Sequence, residues 1–245
     1  MVDLAEASIA RVIDYETTGI PEDDHAEVIE FGRIDVDLDT LDIRNPWSKL
    51  AKPSQAIPPV TMAVHHITDD DVESAPGSSQ VWPEFWSDLG RGDIVVAHNA
   101  KFEQHFHDGD GRAWICTYKG ARVVWPDAPS HGNQALRYWL GIDKTHPDFE
   151  REKASPSHRA LPDAYVTAHI LVDLLKVKSV EELVNISKFP ALLRDLTFGK
   201  HRGVKYKDAP ADYLMWIRDK SDLDEDVKFT AKYWLKRRQN ADVET

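Results

Sequence analysis

Four consecutive apolar residues, Ile94-Val95-Val96-Ala97, stand between Asp93 and His98. A run this short, mostly β-branched and uninterrupted by polar residues, reads as a strand buried on both faces. Such a strand requires helices packed above and below its sheet. The neighbouring segments agree. Residues 9–16 are apolar and β-rich, and residues 27–36 alternate through Val28, Phe31, Ile34 and Val36 with one interruption. Residues 43–52 are a weaker strand, confined to a sheet edge by Pro46. Helical spacing appears over residues 80–89, 117–124 and 133–140. It is clearest over residues 160–177, where Leu161, Ala164, Tyr165, Ala168, Leu171, Leu174 and Leu175 share one stripe. Strands first, then strands alternating with helices, predict an α/β architecture: a mixed β-sheet flanked by helices.

Charge divides the chain. The full sequence holds 30 Lys/Arg against 42 Asp/Glu, a formal charge of −12. Residues 197–245 hold 11 Lys/Arg against 9 Asp/Glu, whereas residues 1–196 hold 19 against 33. The shift falls near residues 188–195, which include Pro190, and predicts a main domain over 1–190 and a small C-terminal module over 197–245. In the module, residues 198–207 read as a hairpin with Gly199 and Gly203, followed by helices near 211–219 and 224–239. The single cysteine, Cys116, excludes an internal disulfide and a cysteine-based zinc site. No apolar run approaches the ~18 residues of a membrane span. The acidic start MVDLAEAS lacks the basic region of a secretory signal. These features predict a cytoplasmic protein with no membrane partner. A charge of −12 also argues against a strong nonspecific grip on a phosphate backbone.

Three short segments can carry chemistry. Asp14-Tyr15-Glu16-Thr17-Thr18-Gly19 ends the first strand, and period 2 places Asp14 and Glu16 on one face with Tyr15 on the other. Adjacent carboxylates suit a hard divalent cation, Mg²⁺ or Mn²⁺, although two solvated acids at a strand end have the same pattern. His98-Asn99-Ala100-Lys101-Phe102-Glu103 follows the buried strand, where open α/β sheets place ligand groups. There Asn99 can equally be a helix cap and Glu103 a surface acid. In His158-Arg159-Ala160-Leu161-Pro162-Asp163, five residues separate His158 from Asp163, about 140° apart on a regular helix. The two converge only if His158 lies on a loop and Asp163 in the first turns of the helix, as Pro156 and Pro162 suggest.

In this order and spacing the segments resemble the DEDDh exonucleases of the DnaQ-like superfamily. The first motif matches Asp14, Glu16, Thr17, Thr18 and Gly19; the second matches Asn99 and Phe102; the third matches His158, Ala160, Asp163 and Ala164. The stretch Pro58–Pro59 to Thr68, with His65 and His66, is similar to the family's segment between the first two motifs. Trp114-Ile115-Cys116-Thr117, the Phe198–Gly203 turn and Tyr213-Leu214-Met215-Trp216 resemble a subgroup in which a small module follows the nuclease domain. The resemblance implies a ribonuclease-H-like fold and a two-Mg²⁺ site, with Mn²⁺ as substitute. Its metal ligands would be Asp14, Glu16, Glu103 and Asp163, and His158 its general base. It implies hydrolysis from nucleic-acid 3′ ends, DNA favoured, with release of nucleoside 5′-monophosphates. Thr17 and Thr18 would meet the terminal sugar, Asn99 and Phe102 would support the acid pair and the strand, and His65 would either face a substrate loop or pack it. One departure stands out: Glu103 occupies the family's usual aspartate position, extending the carboxylate by ~1.5 Å. Two other readings stay open: an RNA-directed exonuclease, and a weakly active or inactive nucleic-acid-binding module disabled by Glu103.

Outside the motifs, Lys119, Arg122 and Arg159 are candidate phosphate contacts, and equally ordinary surface bases. Trp82, Trp86, Trp125 and Trp139 are expected in the core, and Cys116 is expected buried. Lys200, Arg202, Lys205 and Lys207, interleaved with Phe198 and Tyr206, have the composition of a strand-tracking surface, and equally of aromatics covering a two-helix pack with the bases as its solvated edge. The Lys236–Arg238 run is expected at the end of the last helix, complementing its dipole.

Overall fold

The computed structural model describes residues 7–219 and 222–243. One sheet holds β1 (Ile9–Thr17), β2 (Val28–Asp37), β3 (Ile43–Leu50), β4 (Ile94–Ala97) and β5 (Ala113–Cys116) in the order β3-β2-β1-β4-β5. The first three strands form an antiparallel meander; β4 joins β1, and β5 joins β4, in parallel. Parallel neighbours need a crossover. Helices α1 (Pro59–His65), α2 (Asp69–Val72) and α3 (Ser78–Phe85) fill the first and α4 (Ala100–Phe106) the second. The chain continues through α5 (Thr117–Val124), α6 (Asn133–Leu140), α7 (Ile142–Thr145), α8 (Ala160–Leu175), α9 (Val180–Ser187), α10 (Ala211–Asp219) and α11 (Glu225–Val243). The mixed sheet flanked by helices is the expected α/β architecture. Strand β4 is buried throughout, and β3 with Pro46 is an edge. Strand β5 was not expected: four residues between a glycine-containing turn and α5 leave no room for alternation to show.

The central strand β1 faces two ways. Its odd residues Ile13 and Tyr15 enter an aromatic core with Phe31, Phe85, Trp86 and Trp114. Tyr15 meets Phe31 and Trp82 edge-on at 5.6 and 5.5 Å. Arg11 points the same way and is only 1% exposed. It is forked onto Asp35 at 2.8 and 3.1 Å and donates to the carbonyls of Phe85 and Ser87, so the end of α3 is tied to the sheet. The even residues, including Asp14 and Glu16, lie on the opposite face, where α8 packs across β1 and β2. Gly32 sits directly opposite Asp14 in the β1–β2 ladder. A Cβ on Gly32 would lie 2.2 Å from the carbonyl carbon of Ala160. Only glycine therefore lets the start of α8 approach β2 this closely.

The chain divides into two compact units, one of residues up to Ala121 with Ala128–Ser187, the other of Arg122–Asp127 with residues from Lys188 onward. The second has its own core of Leu196, Tyr206, Ala209, Tyr213, Leu214, Ile217 and Ala231, with Phe198 packed against it. Its hairpin is short, with a bridge between Asp195 and Lys205 and backbone bonds from Leu196 to Val204, from Gly203 to Leu196 and from Tyr206 to Arg194. Here three expectations are corrected. Tyr206 is fully buried, so the interleaved aromatics build this core while the bases form its rim. Helix α11 runs past Lys236–Arg238 to Val243, and Arg238 donates to the carbonyls of Lys207 and Ala209 instead of serving a helix end. Trp139, on α6 of the first unit, is 43% exposed, not core. Among the described residues no helix is long and apolar enough to cross a membrane.

Candidate active site

Strand β1 delivers Asp14 and Glu16 to the face covered by α8, and the close approach at Gly32 brings the first turns of α8, with Asp163, down onto them. Ligand oxygens of Asp14, Glu16 and Asp163 lie within 4.8 Å of one another. These are three acids from two elements, with Glu16 buried and the other two half-buried. Burial, then Glu16, Glu103, Asp163 and Glu30, hold Asp14 well above the ordinary carboxylate range. Burial, then Asp163 and Glu30, push Glu16 up to about 8, against the pull of Arg159. Asp163 is also raised by burial, opposed by hydrogen bonds from Gln134 and the His158 backbone. Crowded, desolvated acids of this kind fit a hard divalent cation, which would relieve their repulsion and take oxygen ligands.

Glu103 lies outside that group of three. On the first turn of α4 it is 4% exposed, and its Oε2 has no partner. Burial, then Glu16, push it up to about 8, its own backbone opposing. A buried, unpartnered carboxylate oxygen coupled to the acids of β1 is also consistent with a cation position.

His158 is exposed and sits on the segment before α8, as the spacing to Asp163 required. Its backbone is left-handed, with φ 59°, and its N–H donates to Asp163 Oδ2 at 2.7 Å. Asp163 Oδ1 accepts from Gln134 Nε2 at 3.0 Å, and the Asp163 carbonyl accepts from Asn133 at 3.1 Å. The carboxylate is thus oriented from two sides.

The remaining expected site residues are placed unequally. Thr17 and Thr18 are buried in the turn after Glu16: Thr17 Oγ1 donates to the Gly19 carbonyl and Thr18 Oγ1 accepts from Glu27 N–H. Asn99 is exposed at the cap of α4, where its carbonyl accepts from Phe102 N–H. Phe102 is half-buried against Phe106. His65 is only 2% exposed, with Nδ1 accepting from Ile67 N–H, so it packs the α1 turn and does not present itself to solvent. His98 is half-buried, bonded to Thr117 and the His131 carbonyl, and loss of water around its ring pushes it down to about 4; it is a neutral strut.

Each candidate phosphate contact has a partner within the protein. Lys119 Nζ donates to the Ser187 carbonyl and Arg122 to the Leu192 carbonyl. Arg159 is forked onto Glu30, at 2.8 and 2.6 Å. Glu30 also accepts from Ala160 N–H at 2.9 Å, so it caps α8, whose own cap residue, Arg159, makes no side-chain cap. Sequence reasoning missed Glu30, yet a signal existed: it shares the parity of Val28, Ile34 and Val36 and is an acid on an apolar strand face. Nothing comparable marks Gln134.

A family model described as exonuclease, of the RNase T type, matches residues 12–171. The chain is 33% identical over 232 residues to exodeoxyribonuclease 10 of Escherichia coli, covering 92% of this chain and 98% of that protein. The structure of exonuclease X in complex with 5′-overhanging duplex DNA superposes with a TM-score of 0.61 at 32% identity, over 73% of this chain and 99% of that one. The nuclease domain of 3′hExo, a DEDDh family member bound to rAMP, shares the fold at a TM-score of 0.57 and 19% identity, over 70% and 94% of the two chains. With matching fold, motif order and extended sequence identity, the chain belongs to the exonuclease family of DnaQ-like, ribonuclease-H-like proteins.

Proposed function

We propose that this protein is a divalent-metal-dependent 3′→5′ exonuclease that removes nucleoside 5′-monophosphates from DNA ends. The observation that carries the reading is the convergence of Asp14, Glu16 and Asp163 beside the exposed His158. DNA is favoured over RNA because the likeness to exodeoxyribonuclease 10 spans 98% of that protein, and because the similar exonuclease X is described in complex with DNA.

Asp14, Glu16 and Asp163 would hold one Mg²⁺ and Glu103, with Asp14, a second, Mn²⁺ serving as substitute. When bound, the ions supply positive charge to the scissile phosphate and lower the pKa of water. His158 takes the proton from the attacking water, so that the oxygen reaches phosphorus as hydroxide and the P–O3′ bond breaks in line. The phosphate remains on the 5′ oxygen of the departing nucleotide, and O3′ leaves as an alkoxide that takes a proton from solvent, ending as a hydroxyl on the shortened strand. Asp163, oriented by Gln134 and the His158 backbone, keeps its carboxylate aimed at the pair on β1. The Thr17–Thr18 turn would meet the terminal sugar, with Asn99 and Phe102 supporting the acid pair and the strand. Residues 1–190 would form the catalytic domain and 197–245 a C-terminal module.

Single-stranded DNA labelled at the 3′ or the 5′ end, incubated with Mg²⁺, Mn²⁺ or chelator, tests the reading. Metal-dependent loss of the 3′ label with a ladder from the 5′ label is expected; binding without cleavage under both metals would sink it. His158→Ala should lower kcat by about 10²–10⁴-fold while metal affinity stays. Undiminished kcat would remove His158 from the reaction.

A further inference from the structure

Arg159 stands next to His158 and is 35% exposed at the side chain, which makes it look like a phosphate contact. Its bonds say otherwise. Its Nε and one of its two terminal nitrogens, Nη2, form a fork on Glu30, whose side chain is 6% exposed and whose Oε2 also takes the Ala160 N–H. Glu30 is the direct cross-strand partner of Glu16. Releasing Arg159 toward a phosphate would leave Glu30 buried beside Glu16 with its charge uncompensated. Breaking a buried pair on one side costs more than a solvent-exposed contact returns.

The same bonds fix the histidine. On its own residue, His158 is pinned by the N–H bond to Asp163; on the next, the chain is pinned by the Arg159 fork and the Ala160 bond to β2. Between these anchors the backbone holds φ 59° at His158, a conformation uncommon outside glycine. We propose that Glu30 and Arg159 are a positioning pair: Glu30 anchors the loop before α8 to β2 through Arg159 and Ala160, setting where His158 stands over the carboxylates, and Arg159 makes no contact with substrate.

This inference rests on His158 acting in hydrolysis, and its test separates the two. Steady-state cleavage of 3′-labelled DNA in Mg²⁺ is compared for wild type, Arg159→Met, Arg159→Lys, Glu30→Gln and the double variant Glu30→Gln/Arg159→Met. Amide exchange of the 155–162 segment is followed in each. Arg159→Met should lower kcat about 10²-fold, the scale of a ~1 Å misplacement, with KM for DNA and its salt dependence unchanged. The double variant should lose no more than the worse single. Arg159→Lys, which keeps the charge and one bond, should recover part of the loss, and covers the case of an unfolded methionine variant. Exchange of 155–162 should quicken in Arg159→Met and Glu30→Gln. A rise in KM with a flatter salt dependence and intact kcat would make Arg159 a phosphate ligand and overturn the proposal. Additive losses, or unchanged exchange, would overturn it equally. If wild type cleaves nothing, the hydrolase reading fails, while the exchange measurement still decides whether the pair anchors the loop.

Discussion

Asp14, Glu16 and Asp163 form one group whose ligand atoms lie within 4.8 Å of each other, and His107, Asp108 and Asp110, after α4, form another. The first is drawn from β1 and α8, distant in sequence, and is held together by packing at Gly32. The second is three residues of one turn that satisfies itself. Asp108 accepts from Asp110 N–H, His107 Nδ1 from Gly109 N–H, and Arg112 reaches Asp110 at 3.2 Å. Its histidine ring lies against Trp82 and Trp86, with centroids 4.9 and 4.6 Å away, while both aspartates are exposed. Each group brings three possible metal ligands together. What separates them is charge that long-range packing forces into a dry place, against charge that water, a turn and an arginine already accommodate.

The sharpest way to break this contrast is Asp14→Asn. Metal-dependent cleavage should be abolished and the tight component of a Mg²⁺ or Mn²⁺ calorimetric titration should disappear; a surviving titration would mean the first group is not the cation site. A subtler variant leaves every acid in place. Gly32→Ala puts a Cβ where the Ala160 backbone stands, so α8 must move; stability should fall by roughly 1–3 kcal/mol and kcat by about 10²-fold. Urea unfolding and steady-state rates read these out, and normal values for both would show that the approach is compliant.

A pH series comes next. Glu16 and Glu103 are pushed from an ordinary 4.5 to about 8 in the folded protein. Between those values the folded state binds more protons than the unfolded, so the metal-free protein loses stability as pH rises from about 4.5 to 8. Divalent metal should therefore raise Tm more at pH 8 than at pH 5. The gain is about 5–10 °C at a hundredfold excess over Kd, because binding then stabilises by about 2.7 kcal/mol. A rise independent of pH would place the metal elsewhere. The smallest effect is expected for Asp110→Asn, within about 0.5 kcal/mol in stability and with unchanged cleavage and metal titration.

The sequence carried much of the first group and little of what supports it. Asp14 and Glu16 share a face because strand period is 2, and His158 and Asp163 meet because five residues separate a loop position from a helix turn. Those are local facts. Glu30 and Arg159 lie 129 residues apart, and Gly32 matters only because Ala160 lands on it, so neither is visible before the sheet and α8 are assembled. The tail misleads for a different reason. Alternating bases and aromatics describe a small core with a charged rim as well as a strand-binding surface, and burial of Tyr206 selects the former. Strand β5 was lost to its brevity, since four residues carry too little pattern to distinguish from the helix that follows.

The cap of α8 has a consequence for how the protein is made. Most helices start on a residue of their own, and their first turn can form while the rest of the chain is still loose. This one borrows Glu30 from a strand 130 residues earlier, so its first turn waits on a loop closure of that length. A chain that has not yet laid α8 on the β1–β2 hairpin has no fixed place for His158 or Asp163. Under the proposed function, cutting power would thereby be withheld from partly folded molecules until the sheet has closed under the helix.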